Sequence, residues 1–259
     1  MKHSSALKPL AFALAAIISV AAQAGGGHND GPPPYTMDPN AGAAAVVNDA
    51  QNSHNNNVSN KATQNTATIK NSIKGSEGNV GANSAAGTGN QQDNSVAIAT
   101  ADESFVFGTA AALTNATQTN SHNTSHNYGT QNNASLDSSG SGASGNVGAN
   151  VAAGDFNQQK NNLAIAVSNG RIATAGANTS QTSNNLSVIN EAGASYLSNV
   201  STWDHDHGHG GNNTPVTNNA SMTGSFNGLS GNGGANIAAG VGNQQSNSLS
   251  IAAGCKACM

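Results

Sequence analysis

Leu163, Ile165 and Val167 alternate with Ala164 and Ala166. That period-two pattern predicts a short strand with two unlike faces. Upstream, Gly145-Asn146 and Ala152-Ala153-Gly154 mark tight bends. The whole pattern occurs three times. Residues 78–100 read GNVGANSAAGTGNQQDNSVAIAT, residues 145–167 read GNVGANVAAGDFNQQKNNLAIAV, and residues 231–253 read GNGGANIAAGVGNQQSNSLSIAA. Within the 22-residue cores that start at Gly78, Gly145 and Gly231, 14 positions are identical in all three, mostly Gly, Asn, Gln and Ala. The match extends upstream without gaps into 38-residue units at 63–100, 130–167 and 216–253.

Repeats of this kind predict an all-β fold of stacked arches, cross-β or solenoid-like, in which each unit is made of short strands and tight bends. Stacking explains the amides. Equivalent residues about 4.8 Å apart allow Asn and Gln side chains to hydrogen-bond along the column as ladders. Asn79, Asn146 and Asn232 form one expected column, Gln91, Gln158 and Gln244 a second, and Gln92, Gln159 and Gln245 a third. Ile98, Ile165 and Ile251 stack as a thin apolar rib. The same repeat positions include Asn83, Asn150 and Asn236, and Asn90, Asn157 and Asn243. Like charges in one column repel, and Asp93, Lys160 and Ser246 share a position while differing in charge. A three-unit stack has two open ends that match each other in sequence. Head-to-tail addition of further copies follows, giving an open fibre.

The intervening stretches, 101–129 and 168–215, read as looser linkers, and 25–62 as an N-terminal Asn-rich segment. They carry a weak motif of their own: QNSHNNN at 51–57, QTNSHNT at 118–124 and QTSNNLS at 181–187. Its Gln lies at 51, 118 and 181, and the units that follow begin at 63, 130 and 216. The first two spacings are equal and the third is much longer, so the last linker holds an insertion. SFVFGTAAAL at 104–113 is the most strand-prone linker window.

Composition narrows the function. Leu, Ile, Val and Phe make up about 15% of the chain, too few for a conventional core. Asn outnumbers even the 31 glycines, and the net charge is only −4. Such a chain is expected to be largely disordered as a monomer and free to associate with itself. Lys2 and Lys8, the apolar run from Leu10 to Val20, and Ala22-Gln23-Ala24 predict a cleaved Sec signal at 1–24. No segment is long and apolar enough to span a membrane as a helix. The scattered acids form no catalytic arrangement, the Gly-rich stretches lack the context of a phosphate loop, and there is no basic patch for nucleic acid. A structural protein is expected, with no cofactor and no enzymatic activity.

Two clusters remain. His205, His207 and His209, with Asp204 and Asp206, could bind a transition metal, although alternate spacing in a Gly-rich linker builds no preformed site and a solvated spacer is favoured. Cys255 and Cys258 in the 254–259 tail lack the second pair of a zinc ribbon. A loop disulfide, a link between subunits, and recognition by export or redox machinery are all open to them.

Three GNxGxNxAAGxxNQQxNxxxIA units with unequal Asn-rich linkers, after a Sec signal and before a terminal C-x-x-C, resemble the Fap family of functional amyloids, most closely its major fibre subunit. Gly233 departs from the apolar Val80 and Val147. The resemblance implies an extracellular cross-β fibre of the biofilm matrix that passes through the periplasm and leaves by an outer-membrane β-barrel pore. It also implies co-assembly with a related nucleating subunit. The rival reading is a surface adhesin: NSVAIA at 94–99 and NSLSIA at 247–252 are similar to β-roll heads of trimeric autotransporters, but no heptad stalk or anchor barrel accompanies them.

Overall fold

A computed structural model of the chain describes residues 42–101, 109–169, 172–192 and 215–254. These residues form fifteen strands arranged as three layers of five. The first layer holds β1 (Gly42–His54), β2 (Asn57–Lys61), β3 (Gln64–Lys70), β4 (Glu77–Ala86) and β5 (Gln91–Ala101). The second holds β6 (Thr109–Ser121), β7 (Thr124–Tyr128), β8 (Gln131–Asp137), β9 (Ser144–Ala153) and β10 (Gln158–Ser168). The third holds β11 (Ile172–Asn184), β12 (Ser187–Glu191), β13 (Thr217–Thr223), β14 (Ser230–Ala239) and β15 (Gln244–Gly254).

Equivalent strands pair in parallel, giving five three-stranded sheets with the second layer always in the middle. The fold is therefore all-β and solenoid-like, as the repeat predicts. Even the bends are bonded between layers: Gly154 N donates to Ala86 O at 2.9 Å and Gly240 N to Ala153 O at 2.9 Å. Bonded partners lie 67 residues apart between the first two layers. Between the second and third layers the offset is 63 residues at Gln181 and 86 at Gln244. The extra length enters between β12 and β13. The insertion expected from the motif spacing thus leaves every column in register.

The stretches read as loose linkers, and the N-terminal Asn-rich segment, prove to be part of the stack. β1 and β2 lie within 25–62, β6 and β7 within 101–129, and β11 and β12 within 168–215. Each layer is thus longer than the 38-residue unit. The physical reason is the weak Gln motif. Gln51, Gln118 and Gln181 donate to the backbone carbonyls of Gln92, Gln159 and Gln245, at 3.2, 3.1 and 2.9 Å, and tie the first strand of each layer to the last.

Small side chains let the strands pack closely. β9 is buried on both faces. Ala149, Val151 and Ala153 meet Ala134 and Leu136 of β8 in one apolar seam. Asn150, on the opposite face, bonds to Asn161 of β10. A second seam is almost all alanine, with Ala97, Ala99, Ala164 and Ala166 against Ala110 and Ala112. Ile98, Ile165 and Ile251 stack as expected, but on the outer face, with Ile98 44% and Ile251 43% exposed. Phe156 occupies the position held by glycine in the other layers, Gly89 and Gly242, and its ring lies against Gly89, where a Cβ would meet it at 2.5 Å.

Candidate functional site: amide columns and two open faces

Among the described residues, nine columns of Asn or Gln are hydrogen-bonded side chain to side chain through all three layers. They include the expected glutamine columns. Gln158 Nε2 donates to Gln91 Oε1 at 2.9 Å, and Gln244 Nε2 to Gln158 Oε1 at 2.7 Å. Gln92 Nε2 donates to Gln159 Oε1 at 2.7 Å, and Gln159 Nε2 to Gln245 Oε1 at 2.8 Å. Asn157 bonds to Asn90 and Asn243 to Asn157. Asn79, Asn146 and Asn232 are in register, and Asn232 Nδ2 donates to Asn146 Oδ1 at 2.7 Å.

Each ladder runs in one direction from end to end. Six columns donate toward the first layer, namely those through Gln118, Gln158, Asn115, Asn150, Asn157 and Asn161. Three donate toward the third, through Asn127, Asn132 and Gln159. Every one of these columns therefore ends in an interlayer donor position on one face and an acceptor position on the other. A stack built on this rule offers each face the complement of its opposite face. The strands β1 to β5 and β11 to β15 are also sheet edges, each paired on one side only. Edges of this kind template another chain.

The buried centre of the network is Asn150, which is 0% exposed. Its Nδ2 donates to Asn83 Oδ1, Asp93 O and Asn94 Oδ1, and its Oδ1 accepts from Asn161 and Asn236. Gly148 makes room for its partners: a Cβ there would lie 2.6 Å from Asn94 Oδ1 and 3.3 Å from Asn161 Cβ.

The charged column is more deeply placed than its sequence suggests. Lys160 is 0% exposed and pairs with Asp93, while its Nζ donates to Ser95 Oγ at 2.6 Å and stands 4.0 Å from Asp49. Burial lowers the Lys160 pKa to about 8, against the opposing pull of the Asp49 carboxylate. The desolvation cost of burying this charge offsets much of what its pairing contributes to stability. Asp155 was not legible as a site. It is buried and accepts from Asn60 Nδ2 at 2.8 Å, Ser125 Oγ at 2.8 Å and Thr88 N at 3.0 Å. Its partners come from two layers and three stretches of sequence, so no local pattern announces it.

His205, His207, His209, Cys255 and Cys258 lie outside the described residues. Among the described residues there is no group of three or more His, Cys, Asp or Glu that could hold a metal ion. No helix among them is long and apolar enough to cross a membrane.

Residues 44–254, nearly the span of the three layers, match the functional amyloid protein FapB/FapC family. The chain belongs to that family. It is also 43% identical over 332 residues to the functional amyloid subunit FapC of Pseudomonas aeruginosa, an alignment covering 100% of this chain and 97% of the relative. No solved structure matches the chain. The family match runs through β1, β2, β6, β7, β11 and β12 as well as the 22-residue cores. FapB/FapC membership therefore covers the whole layered body and not the amide-rich repeats alone.

Proposed function

We propose that this chain is a secreted structural subunit that polymerises head to tail into extracellular cross-β fibres, and that these fibres support a biofilm matrix and surface adhesion. The observation that carries this is the match between the two open faces. Each of the nine amide columns ends in the same residue type at both faces, Gln181 and Gln51, Asn236 and Asn83, or Gln244 and Gln91 for example. With the third layer of one copy under the first layer of the next, donor meets acceptor in every one of these columns. The repeat positions Gly78, Asn79, Asn83, Asn90, Gln91, Gln92 and Ile98 and their equivalents are the polymerising element. The function is structural and not catalytic. Passage into the periplasm is supported by the signal-like residues 1–24, and export through an outer-membrane β-barrel pore and a related nucleating subunit by the family resemblance.

The test is thioflavin fluorescence and fibre diffraction on residues 25–259, beside a variant lacking all three 22-residue cores. The expected result is a fibre with one reflection at about 4.7 Å and another at about 10 Å, and severe slowing by the deletion. A mature chain that stays soluble and folded would contradict the proposal and favour an adhesin.

A further inference from the structure

Glu191 is the single charged residue in the described part of the third layer, residues 172–192 and 215–254. It ends β12 and is exposed. In the register of that sheet it lies over Tyr128, and Tyr128 lies over Lys61. Lys61 ends β2 and is also exposed. Within one copy the two opposite charges are therefore kept apart by the whole second layer, two strand spacings or roughly 10 Å.

We infer that Lys61 and Glu191 form an ion pair across the junction between consecutive copies of this chain. The inference rests on the head-to-tail reading above. When the first layer of one copy lies on the third layer of the copy before it, Lys61 comes to rest one strand spacing from Glu191. That is about 4.8 Å, the distance at which directly opposed side chains of adjacent strands interact. The other charged strand columns do not behave this way. Lys70 is already paired with Asp137 at 3.3 Å inside the copy, and the third-layer residue of that column is Thr223. Asp93 is paired with Lys160, and its column ends in Ser246. Asp49 and Glu77 meet Thr179 and Ser230 at the junction. The lone charge of one face thus lands on its opposite, and every other charge of the facing strands lands on a neutral residue. Joining two third-layer faces, or two first-layer faces, forms no such pair, because Lys61 and Glu191 belong to opposite faces. The pair marks polarity as well as register.

The experiment compares seeded elongation of the full mature chain with Lys61→Glu, Glu191→Lys and the double exchange, each on seeds of its own kind at low ionic strength. Each single reversal is expected to slow elongation roughly three- to five-fold, the upper part of the range open to an exposed pair, because it replaces attraction by repulsion. The double exchange restores the rate, and about 1 M salt removes the differences. Single reversals that elongate like the unaltered chain would overturn the pair while leaving the fibre intact. A double exchange as slow as the singles would overturn it equally. If the unaltered chain forms no cross-β fibre, the head-to-tail reading fails, and the pair fails with it.

Discussion

Replacing Gly145 and Gly154 together by alanine is expected to abolish fibre formation, whereas Gly142→Ala is expected only to weaken it. All three glycines have positive φ, 116°, 101° and 64° respectively, so each alanine carries the cost of a left-handed backbone, about 1–2 kcal/mol. The difference lies in the axial space. A Cβ on Gly145 would sit 2.3 Å from the carbonyl oxygen of Gly78 in the layer below. One on Gly154 would sit 2.2 Å from that of Gly240 in the layer above. Neither contact can be relieved by rotating a side chain, since both partners are backbone. Around Gly142 nothing lies within 4 Å. The paired substitution therefore forces two bends apart and costs about 5 kcal/mol or more, the scale at which single features unfold small domains. Thioflavin plateau and resistance to chemical depolymerisation read the effect. Equal behaviour of the Gly145/Gly154 pair and Gly142→Ala would show that the bends do not stack as described.

Asn150→Ala is the second large effect, with Asn115→Ala as its counterpart. Both residues stand in complete ladders, so ladder membership alone predicts similar losses. Burial separates them. Asn150 is fully buried, and its removal takes one acceptor from each of the buried amides of Asn161 and Asn236, which keep only their bonds to Asn94, Lys160 and Asn161. Buried polar groups left short of a partner cost about 1–3 kcal/mol each, and with two of them partly satisfied the loss is roughly 3 kcal/mol. The Asn115 bonds run along an exposed face, where water replaces them, and the loss is about 0.5 kcal/mol. Denaturant midpoints of preformed fibres measure both. Comparable losses at the two sites would mean that the ladders act by count and not by burial.

The parts of this fold that were legible in the sequence are those where identical residues recur at identical spacing. Gln91, Gln158 and Gln244 announced their column because nothing but stacking gives three glutamines the same neighbours. The insertion between β12 and β13 was legible for the same reason, through the displaced Gln181 motif. What repetition could not reveal was the structure of the polar stretches between the cores. QNSHNNN has no alternating apolar face, yet Ser53 to Asn123 and Gln51 to Gln92 bonds hold it as strand and bend. Its partners lie 41 and 70 residues away, beyond any local pattern. Variable positions were opaque in the same way. Asp93, Lys160 and Ser246 suggested a column that avoids like charges, but the complete burial of Lys160 follows from its place in the middle layer. Phe156 and Asp155 sit where the repeat has glycine or no fixed residue, and each is fitted to neighbours in another layer.

The axial rise per subunit in the fibre, measured by cryo-electron microscopy, tests the three-layer stack most directly. Three layers per copy, each one strand spacing thick, predict a rise of about 14 Å with the second-layer residues Lys160 and Phe156 recurring once per rise. A rise of about 4.8 Å, with every chain contributing a single layer, would contradict the account.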